Sequence, residues 1–204
     1  MNILLLSPYP KDLRPALKQF EDTLIDYTDK IDPKFCKDNQ IDFLISYGYR
    51  HIIQRSILDM FPLAAINLHI SLLPYSRGAH PVFWSVVNRH PLGVTIHLLD
   101  QGLDTGNILF QKEIDTDLSQ HTFTTLYDLH RAEIINLFSS KWKYIRKKES
   151  QGLQQTGLPT IHRAQELRRW SSCMPDAWDT SISTFNKLAS RTEAGEEIPC
   201  KNYS

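Results

Sequence analysis

The chain has 204 residues, and 23 Lys plus Arg balance 23 Asp plus Glu, so the formal net charge is zero. That length predicts one domain with an appendage, able to bury about 70% of its unfolded surface. A neutral chain lacks the broad basic field that a dedicated nucleic-acid binder uses to attract phosphate, so no nucleic-acid partner is expected. Hydrophobic residues at 41% and charged residues at 23% are ordinary for a soluble globular protein. The cysteines Cys36, Cys173 and Cys200 are odd in number and form no CxxC, which predicts reduced thiols and a cytoplasmic setting. The four apolar residues after Asn2 fall short of the roughly 7–15 of a secretory core. The longest stretch without Asp, Glu, Lys or Arg, residues 60–76, is broken by Pro62 and Pro74 and predicts no membrane span.

In chain order, residues 3–6 read as a buried first strand ended by Ser7-Pro8-Tyr9-Pro10. Leu13, Leu17, Phe20 and Leu24 recur at helical spacing over 12–25, with Pro15 suited to a first turn. Residues 41–47 predict a strand halted at Gly48, 51–60 a short helix ended by Pro62, and 64–69 another strand. Residues 72–78 read as loop and 80–88 as helix, followed by strands at 93–99 and 108–114 across a Gly/Asp turn. From 122 to 145, Phe123, Leu126, Tyr127, Ile134, Phe138, Trp142 and Ile145 mark one face of a long amphipathic helix. Strands alternating with helices predict an α/β fold, a parallel or mostly parallel sheet with helices on both faces. Composition turns polar after Ser150, dividing the chain into a domain at 1–150 and a short C-terminal appendage at 151–204 whose end, from Arg191, is expected to be mobile.

Chemistry concentrates in two places. Asn67 and His69 lie two apart at the end of an apolar strand, so both point to one face. In open α/β sheets that end is where ligands bind. Leu99-Asp100-Gln101-Gly102-Leu103-Asp104-Thr105-Gly106 reads as a tight turn with Asp104 at its tip. Folded over the strand end, it would unite an amide, an imidazole and a carboxylate. That set suits attack of a neutral amine on a carbonyl: the amide donates to the oxyanion, the imidazole moves a proton and the carboxylate orients it. Taken alone, Asn67 and His69 also read as a satisfied hydrogen-bonding pair. His97 reads as a buried structural histidine, Asp100 as a turn-former, and Asp115 and Asp117 as loop charges. Phe83 and Trp84 read as core or pocket wall, and the basic run Lys141, Lys143, Arg146, Lys147 and Lys148 as a solvated helix end. His121, His130 and His162 lack ligand spacing, and no metal site is expected. Ser71 is in no GxSxG elbow.

Asn67-x-His69, Ser71-Leu72-Leu73-Pro74, Arg77-Gly78, Gly93-Val94-Thr95-Ile96-His97 and Asp100-x-Gly102-x-Asp104-x-Gly106 together resemble the formyltransferases that use 10-formyltetrahydrofolate. The run from Asn67 to Pro81, with Phe83-Trp84-Ser85 after it, is most similar to the nucleotide-sugar N-formyltransferases. The resemblance spans residues 66–114, with weaker support from 42–62. It implies a Rossmann-like catalytic domain in which Asn67, His69 and Asp104 are the catalytic trio. It implies a folate pocket at Tyr49, Arg50, His51, Ile52, Leu98, Leu99 and Asp100, held mainly by backbone groups, and a sugar-nucleotide side at Tyr75, Arg77 and His80. It implies a small-molecule nucleotide-sugar partner, an amino-dideoxyhexose of surface-polysaccharide synthesis linked for instance to dTDP, and a homodimer formed through a C-terminal element. Only about 40 residues precede the strand at Ile41, fewer than the family pattern, so a strand–helix unit is expected to be reduced or missing.

Other readings remain beside this one. Methionyl-tRNA formylation is disfavoured by length and by the neutral charge. Glycinamide ribonucleotide formylation is disfavoured because Ser7-Pro8-Tyr9-Pro10 lacks a glycine-rich phosphate cradle. Hydrolysis of formyl-folate, or a binding module without turnover, would use the same scaffold.

Overall fold

The structure, a computed structural model, describes residues 1–193. Residues 194–204, with Cys200 and most of the end expected to be mobile, lie outside the described residues. In chain order the elements are β1 (Asn2–Leu6), α1 (Pro10–Leu17), β2 (Thr23–Tyr27), α2 (Pro33–Asp38), β3 (Phe43–Ser46), α3 (Arg55–Leu58), β4 (Ala65–His69) and β5 (Arg77–Gly78). Then come α4 (Pro81–Val87), β6 (Gly93–Leu98), β7 (Ile108–Glu113), α5 (Phe123–Ile145), β8 (Ile161–His162) and α6 (Ile182–Glu193).

Residues 3–6 are apolar without alternation because β1 is covered on both faces, and none of the four is exposed. β1 pairs in parallel with β2 and β3, and β3 with β4. β6 and β7 join antiparallel, giving the order β2-β1-β3-β4-β6-β7. The sheet is thus mostly parallel, as its pattern predicts. The chain leaves β1 through α1 to β2 and returns through α2 to β3, so right-handed crossovers put α1 and α2 on opposite faces. α5 packs against α1, α4 and β6. It opens on a reciprocal cap, Thr122 and Thr125 each bonding the other's backbone N–H, and buries Phe123, Leu126, Ile134, Phe138 and Trp142. Trp142 meets Phe43 of β3 edge-on at 5.0 Å. No helix among the described residues is long and apolar enough to cross a membrane.

Three local expectations need correction. The helical spacing over 12–25 is coincidental beyond Leu17: tight turns follow, and Leu24 lies on β2. Asp22 anchors that turn by pairing with Arg146 at 2.9 Å and with the terminal amine at 3.0 Å. Arg146 is therefore a tie to the sheet's edge, not a solvated charge. The strand–helix unit expected to be reduced or missing is present as β2 and the six-residue α2. The helix expected at 51–60 is confined to the four residues of α3, leaving 48–53 as an irregular loop.

The segment after Ser150 folds back on the sheet. Leu153 and Ile108 exchange both backbone hydrogen bonds, and β8 adds in parallel to β5, which closes the stretch expected to be loop. His162 stacks on Trp84 at 3.9 Å and bonds Asn88 at 3.0 Å. Phe185 of α6 packs on Phe83 and Phe123.

Candidate active site

The antiparallel register of β4 and β6 sets Asn67 opposite His97 and His69 opposite Thr95. Alternation then gives Asn67 and His69 one shared face at the carboxyl end of β4. The Asn67 amide lies 3.2 Å from His97 Nε2. His97 Nδ1 faces the Leu98 carbonyl at 2.8 Å, so Nδ1 carries the proton and Nε2 accepts from the amide. His97 is therefore buried, as its strand predicts, yet touches the site residue directly, and sequence reading missed that contact. Its signal was the polar alternation Thr95, His97 on an otherwise apolar strand.

Beyond β4 the chain loops through 70–76 and returns along β5. His69 Nε2 lies 3.1 Å from the Ser76 carbonyl. A carbonyl only accepts, so Nε2 is protonated and Nδ1 is left as the basic nitrogen. Nδ1 stands 3.6 Å from Asp104 Oδ2.

Asp104 arrives on the turn after β6, at a left-handed φ of 53°. Asp100 ties that turn by accepting from the Gly102 N–H (3.1 Å) and the Thr105 hydroxyl (2.6 Å). Gly106 is required, since a Cβ there would fall 1.8 Å from the Leu98 carbonyl oxygen. The carboxylate accepts from the Gly78 N–H at 2.8 Å and from the Asn67 amide at 3.2 Å. Amide, imidazole and carboxylate thus converge.

Burial alone would raise the Asp104 pKa, but His69, His97 and the Gly78 N–H outweigh it and hold the carboxyl well below the usual range. Burial pushes His69 below its ordinary value, against the opposing pull of Asp104. Burial thus biases His69 toward the neutral form that a proton acceptor needs, and the Asp104 carboxylate opposes that bias.

A cleft of about 360 Å³ is lined by Tyr9, His80, Phe83, Phe123, Tyr127 and Trp178. His80 follows Gly78 by two residues, so its backbone lies within about 7 Å of the group holding Asp104. Its ring faces Trp178 at 5.4 Å. Phe83 is both core and cleft wall, whereas Trp84 is buried beneath His162.

The other residues singled out by resemblance are spread around this centre. Tyr75 stacks on His90 at 4.6 Å. The Arg77 guanidinium is buried and donates twice to Gln155. In the loop after β3, Arg50, His51 and Ile52 are exposed, Ile52 by 84%, while the Tyr49 hydroxyl donates to the Asp29 carbonyl. Among the described residues, 48–53 form no backbone-to-backbone hydrogen bond. Leu98 and Leu99 adjoin the site through the end of β6, with the Leu99 N–H bonded to Ala65. No group of three or more His, Cys, Asp or Glu among the described residues is placed to hold a metal ion.

Residues 16–141 match the formyl transferase family. The chain belongs to that family. Methionyl-tRNA formyltransferase of Clostridium novyi is 40% identical over 153 residues, 74% of this chain and 48% of that protein. The homologue from Ruminiclostridium cellulolyticum is 43% identical over 88 residues, 43% of this chain and 28% of the relative. This formyl transferase chain spans about half or less of the length of such curated relatives. A crystal structure of formyltransferase PseJ from Anoxybacillus kamchatkensis, in complex with UDP-4,6-dideoxy-4-formamido-L-AltNAc and tetrahydrofolate, is 40% identical with a TM-score of 0.85. It covers 91% of this chain and 97% of that one.

Proposed function

We propose that this formyl transferase moves a formyl group from 10-formyltetrahydrofolate to the primary amine of a nucleoside-diphosphate-linked amino-dideoxy sugar. The carrying observation is the convergence of Asn67, His69 and Asp104 at the carboxyl end of β4. The likeness to PseJ over nearly the whole of both chains supports a UDP-linked 4-amino sugar over the dTDP sugars suggested by sequence. The cleft lining brings flat apolar walls suited to a base or deoxy-sugar ring.

The loop at 48–53 and the end of β6 fit the folate, because their backbone groups suit a flat heterocycle. Bound there, the folate supplies an activated formyl carbonyl. Asn67 Nδ2 turns the N–H it gives Asp104 at rest toward the carbonyl oxygen as negative charge builds on it. His69 Nδ1 accepts the proton released by the attacking amine and returns it to the departing folate nitrogen, so the enzyme ends unchanged. Asp104 stabilises the imidazolium while it exists and holds the ring through the shared Ser76–Gly78 segment.

The test is incubation with 10-formyltetrahydrofolate and a panel of UDP- and dTDP-amino sugars, with methionyl-tRNA as a parallel acceptor, read by mass spectrometry. Gain of one carbonyl on a nucleotide sugar is the expected result. Formylation of the tRNA alone would replace this acceptor with the one named for the Clostridium novyi relative, and formate release without transfer would make the site a hydrolase.

A further inference from the structure

We propose that Gln155, in the polar segment after the catalytic core, is a positioning residue that sets Asp104 against His69; the idea rests on the reading of those two as the reacting pair. Every hydrogen-bonding capacity of the Gln155 amide is engaged. Its Oε1 accepts from Arg77 Nε at 3.2 Å and Nη2 at 2.6 Å. Its Nε2 donates to the Asp104 carbonyl at 2.9 Å and the Gly106 carbonyl at 2.8 Å. A guanidinium only donates and carbonyls only accept, so the amide orientation is dictated by its partners. No other side chain of this length serves both ends: Glu accepts from Arg77 but has nothing to give the carbonyls, and Lys donates but cannot receive Arg77.

The bonds close a ring of contacts around the site. Arg77 is followed by Gly78, whose N–H holds the Asp104 carboxylate, and Gln155 holds the backbone of the same aspartate. Arg77 follows Ser76, whose carbonyl holds His69. Ser76 and Arg77 are themselves fixed by Thr160, through its hydroxyl at 2.7 Å and its carbonyl at 2.9 Å. A Cβ on Gly78 would meet the His162 carbonyl oxygen at 2.3 Å, so β5 and β8 lie too close for any other residue. The 155–162 segment therefore grips both partners of the Asp104–His69 pair. Gln155 is its direct hold on the turn, which carries Asp104 at a left-handed φ.

Gln155→Ala and Gln155→Glu, with Gln154→Ala as the exposed neighbour control, test this. Turnover in both Gln155 variants is expected to fall about 10²-fold, as for a catalytic group displaced by an ångström or so, with KM little changed. Gln155→Glu keeps the Arg77 bond, so an unchanged melting temperature in that variant separates positioning from folding. The His69 ring titration, followed by NMR, is expected to move in both variants and not in Gln154→Ala. Turnover within about twofold of the parent, with an unmoved His69 titration, overturns the proposal. If the parent formylates nothing, the proposed function fails, and the titration still decides whether Gln155 controls the pair.

Discussion

Asn67 and His69 ride on β4, whose register is fixed by ladders to β3 on one side and β6 on the other, whereas Asp104 hangs from a turn with no ladder of its own. The strand delivers its residues through backbone pairing and a buried apolar core, and side-chain identity nearby matters little. The turn is placed by specific polar contacts, Asp100 inside it and Gly78 and Gln155 outside it. A strand-mounted group is thus robust to nearby substitution, and a turn-mounted one depends on a few hydrogen bonds from distant sequence.

Substitutions can break that contrast at either end. Asp104→Asn removes the charge that stabilises protonated His69 and is expected to lower kcat by about 10²–10⁴-fold in a formyl-transfer assay. The same change removes the influence that raises the His69 pKa, so burial pushes it further down. The NMR midpoint of the ring is expected to move to lower pH, and an upward move would contradict the assigned electrostatics. Asn67→Ala is expected to cost about 10²–10³-fold in kcat and, because it leaves His97 Nε2 and Asp104 Oδ1 without the amide, about 1–3 kcal/mol by denaturant titration.

Leu5→Ala strikes the strand half instead. Leu5 is fully buried in β1, and the cavity is expected to cost about 2–5 kcal/mol by denaturant titration, with specific activity of the folded fraction retained. His162→Ala strikes the segment that supports the turn. Loss of the stack on Trp84 is expected to cost about 1 kcal/mol, with a few-fold fall in turnover that Leu5→Ala does not share once normalised to folded protein.

The same contrast explains what was legible in the sequence. β1, β3, β4 and β6 announce themselves because doubly covered strands must be continuously apolar, and Asn67 and His69 stand out against that background. Asp104 is legible through its glycine-rich turn, which few other structures tolerate. β2 was hidden because an edge strand need bury little, and its Leu24 fell into step with the helical spacing of α1. The neighbourhood of His97 to Asn67 depends on strand register, and register is set by pairing across 30 residues. Gln155 gives no local signal at all. It sits in a polar segment without periodicity, and its four bonds exist only once β8 has docked on β5. The bond of Arg77 to Gln155 is hidden for the same reason: its partner lies 78 residues away.

The most direct test of the account is single-turnover formyl transfer by His69→Ala at saturating formyl-folate and UDP-amino sugar, with binding of each measured separately by calorimetry. Both ligands are predicted to bind as in the parent while the chemical step slows by about 10²–10⁴-fold. Transfer at close to the parental rate would show that the imidazole moves no proton in the reaction, and the proposed mechanism would fall.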